Sequence, residues 1–402
     1  MKFLMFNLGE KMKLELYSDP ETGCDKEILL RARDFAKKNL DRHAEDWERD
    51  RAYPETVVRE AMAEFGDLLI PTRLGGKGAT TTTFFHVLEE FARKDIGFSI
   101  AFVVQCNLGL IVSMSENASL RDHYLPRLMN GTLLGAFCLT EPHAGSDAGA
   151  ITTLATSNDD GYSINGTKSW IINAQHAEVV GIFAKTDADA GTKGIALFLA
   201  DTAREGVSRS QPYELISGNV THVGDVAFDH FQVRQDEMLF GPGAGFRAAM
   251  QALDAARIGI AAICNGALAS GLDYALDYAG QREAFGSALL TKQGFQWCFA
   301  DHLTQLEASR LLTFRAAAML DRGEGTSVIG AHAKKFANHA VVDGLVWAMR
   351  SMGANGTRRS HPLARQLASA QLLFHTDGTP EILNLVIGRS LVRARTQASK
   401  ES

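Results

Sequence analysis

The chain has 402 residues, 46% apolar and 22% charged, with 41 basic and 47 acidic side chains and a formal charge of −6. This is globular composition. It excludes collagen, coiled coil and a disordered polyelectrolyte, and the length is enough for two or three domains with large cores. The slight acidity gives no overall basic field for nucleic acid or an anionic membrane.

No apolar run approaches the roughly 20 residues that a spanning helix needs, so no integral membrane segment is expected. The opening residues 1–17 carry an apolar patch broken by charge, a poor signal peptide. Cys24, Cys106, Cys138, Cys264 and Cys298 are odd in number and scattered, with no CxxC pair. They read as reduced thiols in a cytoplasmic protein. The histidines, among them His43, His86, His143 and His176, are dispersed and show no metal-ligand spacing, so no metal is expected.

Three textures follow one another. Residues 1–132 read as helical. The segments 26–40, 55–66 and 83–95 repeat apolar residues at three- and four-residue spacing, and 97–114 is apolar nearly all round, a buried helix. Residues 133–240 change period to short β-rich runs between Gly, Asn and Asp turns: LLGAFCLT, GYSING, KSWIINA, EVVGIFAKTD, GIALFLAD and HVGDVAFDHFQV. Residues 241–402 return to helix, with long Ala-rich, Pro-free stretches at 246–279, 296–320 and 328–349. The class is α+β: an N-terminal helical domain, a middle antiparallel β-sandwich or barrel, and a C-terminal four-helix bundle. Without β-α alternation there is no doubly wound sheet.

That order disposes of two glycine-rich candidates. GPGAGF (241–246) lacks the strand and the βαβ unit of a dinucleotide loop, and LGGKGA (74–79) lacks the GK[ST] ending of a P-loop. No GxSxG is present, and nothing sets Cys138 beside a base.

Four segments carry specific chemistry together: FCLTEPHAGSDAGA (137–150), KSWIINA (168–174), QREAFGSALLTKQGFQ (281–296) and HTDGTPEILNLVIGRSL (375–391). In this order, on a helix–strand–helix chain, they resemble the acyl-CoA dehydrogenase family over nearly the whole length. The resemblance implies FAD, an acyl thioester substrate, removal of an α-proton by a base and of a β-hydride to flavin N5. The α-proton is weakly acidic, so the thioester carbonyl needs preorganised donors and the base must lie within reach.

Carried over position by position, the resemblance puts Phe137, Leu139, Thr140, Trp170 and Ile172 along the flavin ring, and Ser146 against both FAD and the pantetheine arm. It puts Arg282, Phe285 and Gln293 on a neighbouring subunit's FAD, with Arg350 and Gly353 in a glycine-rich turn that approaches it and Thr379 and Glu381 beside the cofactor. Arg suits a diphosphate because its fork binds two oxygens. Asp254 and Arg257 fall near pantetheine or the CoA phosphates, and Gly378 lets the backbone approach the thioester. A homodimer or homotetramer is implied, as is an electron-transfer flavoprotein as oxidant. A carrier-protein thioester, or a flavin oxidase or monooxygenase on the same scaffold, is the alternative.

Four departures from the family pattern stand out. Asp377 stands where Glu is usual as the base, while the alternative base position on the long helix is Ala256. Ile172 replaces Thr or Ser near N5, Arg350 replaces Gln, and Ala368-Ser369 replace an Arg-Asp pair upstream of the base. The local alternative for Asp377 is a plain turn residue before a helix capped by Thr379, with Pro380 in its first position.

Overall fold

The computed structural model describes residues 23–401, so the opening segment read against a signal peptide lies outside the described residues. The N-terminal part is built from α1 (Lys26–Phe35), continued by one π-turn at Ala36–Leu40, then α2 (Ala44–Asp50), α3 (Glu55–Phe65), α4 (Thr81–Ala92), α5 (Ile96–Ser113) and α6 (Ala118–Met129). Short polar side chains start these helices. Asp25 accepts from the amides of Glu27 and Ile28, Thr80 from Thr83, Asp95 from Phe98 and Asn117 from Leu120. Each cap satisfies an amide that has no partner inside the helix.

The strands are β1 (Gly135–Cys138), β2 (Leu154–Asn158), β3 (Gly161–Ile171), β4 (Val179–Lys185), β5 (Ile195–Asp201), β6 (Val207–Arg209), β7 (Gly224–Arg234) and β8 (Met238–Phe240). They form one sheet in the order β6-β7-β3-β2-β4-β5-β8, with β1 also on β4. Val179 to Ile182 of β4 pair with β1, and Lys185 pairs with Leu154 of β2, while β5 runs along the whole of β4. A strand has two edges, so β1 and β2 share one of them. The chain between them, 139–153, is thrown clear of the ladder.

The C-terminal part holds α7 (Ala244–Gln281), a hairpin of β9 (Glu283–Ala284) and β10 (Ser287–Ala288), then α8 (Gln293–Asp321), α9 (Ser327–Ser351), α10 (Leu363–Leu373) and α11 (Pro380–Glu401). Close crossings rest on missing side chains. A Cβ on Gly266 of α7 would sit 2.2 Å from the Glu89 carbonyl of α4, and one on Gly344 of α9 would sit 2.2 Å from Leu268 of α7. One apolar core joins the N-terminal helices to the bundle, with Phe35, Phe65, Phe91, Phe98 and Phe102 at its centre. Phe91 meets Phe65, Phe98 and Phe102 edge-on at centroid distances of 5.2–5.7 Å, a geometry that aromatic quadrupoles favour. The apolar helices α5 and α7 are long enough to cross a membrane but are mostly buried inside this fold, as core helices are.

Candidate active site

The turn between α10 and α11 carries Asp377 in the left-handed region, φ 57°, followed by Gly378 at φ 113°. Asp tolerates that region because its short side chain is polar and unbranched at Cβ, whereas φ 113° favours glycine. The turn ends where the Thr379 hydroxyl accepts from the Ile382 amide at 3.5 Å and Pro380 begins α11. Its two carbonyl groups are gripped from two helices. Arg257 of α7 donates through Nε to the Asp377 oxygen at 3.0 Å, and Lys334 of α9 donates through Nζ to the Gly378 oxygen. Arg257 also donates through Nη1 to Asp254 Oδ1 at 2.5 Å.

The Asp377 carboxylate itself makes no hydrogen bond or ion pair among the described residues, nor does its amide donate to a protein acceptor. Burial pushes its carboxyl above the usual range, partly offset by the charges of Lys334 and Arg257. Lys334 is fully buried, and burial pulls its ammonium down to about 8 against the opposing pull of Asp377. Burial likewise raises Asp254, with Arg257 opposing. Arg257 is only 7% exposed, so its guanidinium is committed inside the protein rather than open to solvent.

A second group lies where β1 leaves the sheet. Phe137 is half-buried with its ring 4.8 Å from Phe183, Leu139 is buried, Thr140 is half-buried and Ser146 is exposed. The Thr140 carbonyl accepts from the Ser169 amide at 2.9 Å, which places Trp170 alongside. Trp170 has φ 59° and is 59% exposed, with its indole edge-on to Tyr213 at 5.0 Å. A large aromatic in a strained conformation, left mostly open to solvent, costs free energy that the edge contact with Tyr213 offsets only in part. Ile172, two residues on, is half-buried against the main helical core.

The loop carrying Ser146 is tied down by Glu141. Its carboxylate accepts from the Thr152 amide (2.7 Å) and hydroxyl (2.9 Å), from the Thr153 amide (2.9 Å), and from Lys168 Nζ (2.8 Å). Lys168 also donates to the Leu139 carbonyl at 3.1 Å. These contacts hold the Glu141 carboxyl at about 2, despite burial. Burial draws the Lys168 ammonium down, and the Glu141 charge opposes this.

The aromatic group and the base turn are joined through the loop before β7. The Asn173 amide donates to the Thr221 carbonyl at 3.0 Å. Ser217 Oγ lies 2.8 Å from Ser369 Oγ of α10, and a Cβ on Gly218 would collide with Leu372. Leu372 precedes Asp377 by five residues. The departure Ala368-Ser369 therefore sits at this junction.

Arg282, Phe285, Gln293, Arg350 and Gly353 gather elsewhere, and all are exposed. The Arg282 amide donates to the Tyr278 carbonyl, and Asn355 Nδ2 donates to the Tyr278 hydroxyl at 3.0 Å, which brings the Gly353 turn to the same end of α7. Phe285 and Gly286 have φ 50° and 78°, a tight hairpin that holds the Phe285 ring 98% exposed. At 1.5 Å per residue, Tyr278 lies roughly 30 Å along α7 from Arg257. Within one chain, these residues are remote from Asp377. Thr379 and Glu381 stand beside the base turn, with Glu381 exposed.

Sequence reasoning missed Lys334. The signal was present: it is a lysine on the inner stripe of α9, between Gly330 and Asn338, where every other residue is small or uncharged. The pairing of Glu141 with Lys168 was missed too, because a contact across 27 residues leaves no local period.

Three family models match the chain in sequence order: acyl-CoA dehydrogenase N-terminal domain over 24–132, middle domain over 136–231 and C-terminal domain over 243–392. An acyl-CoA dehydrogenase of Bacillus subtilis is 32% identical over 371 residues, 91% of this chain and 98% of that protein. The structure of butyryl-CoA dehydrogenase from Megasphaera elsdenii superposes with a TM-score of 0.90 at 29% identity, covering 94% of this chain and 99% of that one. PigA, solved with FAD and proline, gives 0.86 at 26% identity, covering 91% and 97%.

Proposed function

Since the chain belongs to the acyl-CoA dehydrogenase family, we propose that it is an FAD-dependent dehydrogenase of an acyl thioester, yielding the 2-enoyl thioester, with Asp377 taking the α-proton. The observation that carries the base assignment is the free carboxylate of Asp377 on a turn whose carbonyls are held by Arg257 and Lys334. A base must reach its proton without being spent on structural hydrogen bonds. The unengaged Asp377 amide is a donor for the thioester carbonyl, where negative charge develops as the proton leaves. Gly378 leaves room for that approach, and Asp254 acts through Arg257.

The exposed surface fits the cofactor. Trp170, strained and open, with Phe137 and Thr140 beside it, offers an aromatic wall and polar strand atoms to a ring system. Ser146 adds an exposed hydroxyl, the buried Leu139 and half-buried Ile172 are proposed to back that wall, and Thr379 and Glu381 stand beyond the base turn. Bound FAD supplies the acceptor for the β-hydride. The exposed Arg282, Phe285, Gln293, Arg350 and Gly353, about 30 Å away along α7, suit a second subunit's cofactor, hence a homodimer or homotetramer. An electron-transfer flavoprotein is the proposed oxidant, the setting cytoplasmic, and 1–132, 133–240 and 241–402 the domain division.

Asp is one methylene shorter than Glu, so the substrate α-carbon must approach by roughly 1 Å more, which favours an unusual acyl group such as a cyclic or branched one. Ile172 motivates the oxidase alternative, because it offers no hydroxyl where the resemblance places one. The test is anaerobic titration of the flavin absorbance with straight, branched, cyclic and aryl thioesters on CoA and on carrier protein. Bleaching by one class, abolished in Asp377→Asn, is expected. Bleaching that survives Asp377→Asn refutes the base. Rapid reoxidation in air would favour the oxidase.

A further inference from the structure

Lys334 is a charge in the bundle core whose only role so far is to hold a backbone carbonyl. It lies on α9, fully buried, and forms no ion pair with a carboxylate among the described residues. An ammonium removed from water needs a counter-charge. The groups that act on it are Asp377 from the turn, and Cys264 and Arg257 from α7. Cys264 is pushed up to about 12 by burial and stays a neutral thiol. Arg257 is a second cation, already bonded to Asp254. Asp377 is therefore the carboxylate left to balance Lys334. The inner cluster holds two cations, Arg257 and Lys334, and two carboxylates, Asp254 and Asp377.

Resting on the assignment of Asp377 as base, we propose that Lys334 is a positioning residue that fixes the Asp377–Gly378 turn through the Gly378 carbonyl and sets a positive charge next to the Asp377 carboxylate. The two functions separate by geometry. The hydrogen bond goes to the backbone, one residue beyond the base, and leaves the carboxylate oxygens free. The charge acts through space on a carboxyl that burial pushes upward, and opposes that push. The turn needs such support because Asp377, which carries a Cβ, sits at φ 57°, and strained backbone persists only where its surroundings over-determine it. Arg257 holds the first carbonyl from one helix, and Lys334 the second from another.

The test compares Lys334→Met, Lys334→Gln and Asp377→Asn holoenzymes. Lys334→Met removes both charge and donor. Lys334→Gln removes the charge and keeps an amide donor for the Gly378 oxygen. The rate of anaerobic flavin reduction by the best thioester is followed against pH. In parallel, the protonated carboxyl of Asp377 is titrated by infrared difference spectroscopy on substrate-free protein, with Asp377→Asn as the blank. Asp377 works as a base only when deprotonated, so loss of the Lys334 charge moves the acid limb of the profile to higher pH.

A shift on the order of one pH unit is expected in both lysine variants, matched by the infrared titration, since one nearby charge has that effect. The KM increase is expected to be larger in Lys334→Met than in Lys334→Gln. An acid limb and an infrared titration in Lys334→Gln that superimpose on those of the unmodified protein overturn the proposal, whether or not Lys334→Met folds. Full flavin reduction in Asp377→Asn would overturn the base assignment instead, a distinct outcome.

Discussion

The anchor of the Ser146 loop can be tested by removing one charge. Glu141→Gln keeps the volume but leaves the fully buried Lys168 ammonium with neutral acceptors such as the Leu139 carbonyl and no carboxylate partner among the described residues. Breaking a buried pair from one side costs about 3–5 kcal/mol, because the remaining charge is uncompensated. Against a typical total of about 5–15 kcal/mol this is a large fraction. Lys168→Met is expected to cost less, because Glu141 keeps the Thr152 amide and hydroxyl and the Thr153 amide. The double variant should lie closer to Lys168→Met than the sum of the single variants. Urea unfolding followed by tryptophan fluorescence reads these differences, and flavin retention on dilution reads the loop. If Glu141→Gln costs under about 1 kcal/mol, or if the two single variants add without coupling, the argument from uncompensated charge is wrong.

Three further outcomes are expected. Gly378→Ala forces a side chain into φ 113°, so it should lose about 1–3 kcal/mol and more activity than its melting temperature explains; unchanged turnover would refute the need for this turn. Phe285→Ser should leave monomer stability within about 0.5 kcal/mol, because the ring is almost wholly exposed, yet should weaken flavin retention in the assembled protein; equal retention would refute its role at a second subunit's cofactor. Burial, then the His222 charge, pull His176 below its ordinary value. A depressed folded value means stability is present above the unfolded value near 6.5 and lost as pH falls through the folded one. Melting at pH 7.5 and 5.5 should therefore differ, and His176→Phe, which keeps the stack on Tyr53 3.8 Å away, should shrink that difference.

Long elements were legible because their physics is local. The Pro-free, Ala-rich run at 246–279 is α7 with two residues more at each end, and the mostly apolar run at 97–114 is the buried α5. The β part was read in smaller pieces than it forms. GYSING and KSWIINA look like two strands around an Asn-Gly turn, yet Gly161–Ile171 is one strand. Its register against β7 slips between Ile164 and Gly166, where Asn165 Oδ1 accepts from the His230 amide at 2.8 Å. The turn signal thus marks an irregularity in the ladder rather than a reversal. Asp377 could be singled out as a candidate through the residues around it, Gly-Thr-Pro, whereas Lys334 could not, because its partner Gly378 is 44 positions away on another element. Arg257 was found, but its inward commitment to the base turn depends on packing that no single helix encodes.

The long α7 has a consequence for how such a chain can vary. It sets Arg257 beneath the base turn and delivers Arg282 to the exposed hairpin, 25 residues further on. Helix geometry makes that interval a ruler: one inserted residue advances everything beyond it by about 1.5 Å and turns it by about 100°. Such an insertion would swing Tyr278 away from Asn355 and aim Phe285 in a new direction. The connection between α8 and α9 carries no such constraint on phase. Length should therefore be a frozen character within α7 and a free one in the surface loops, so insertions and deletions can accumulate around this helix but not inside it.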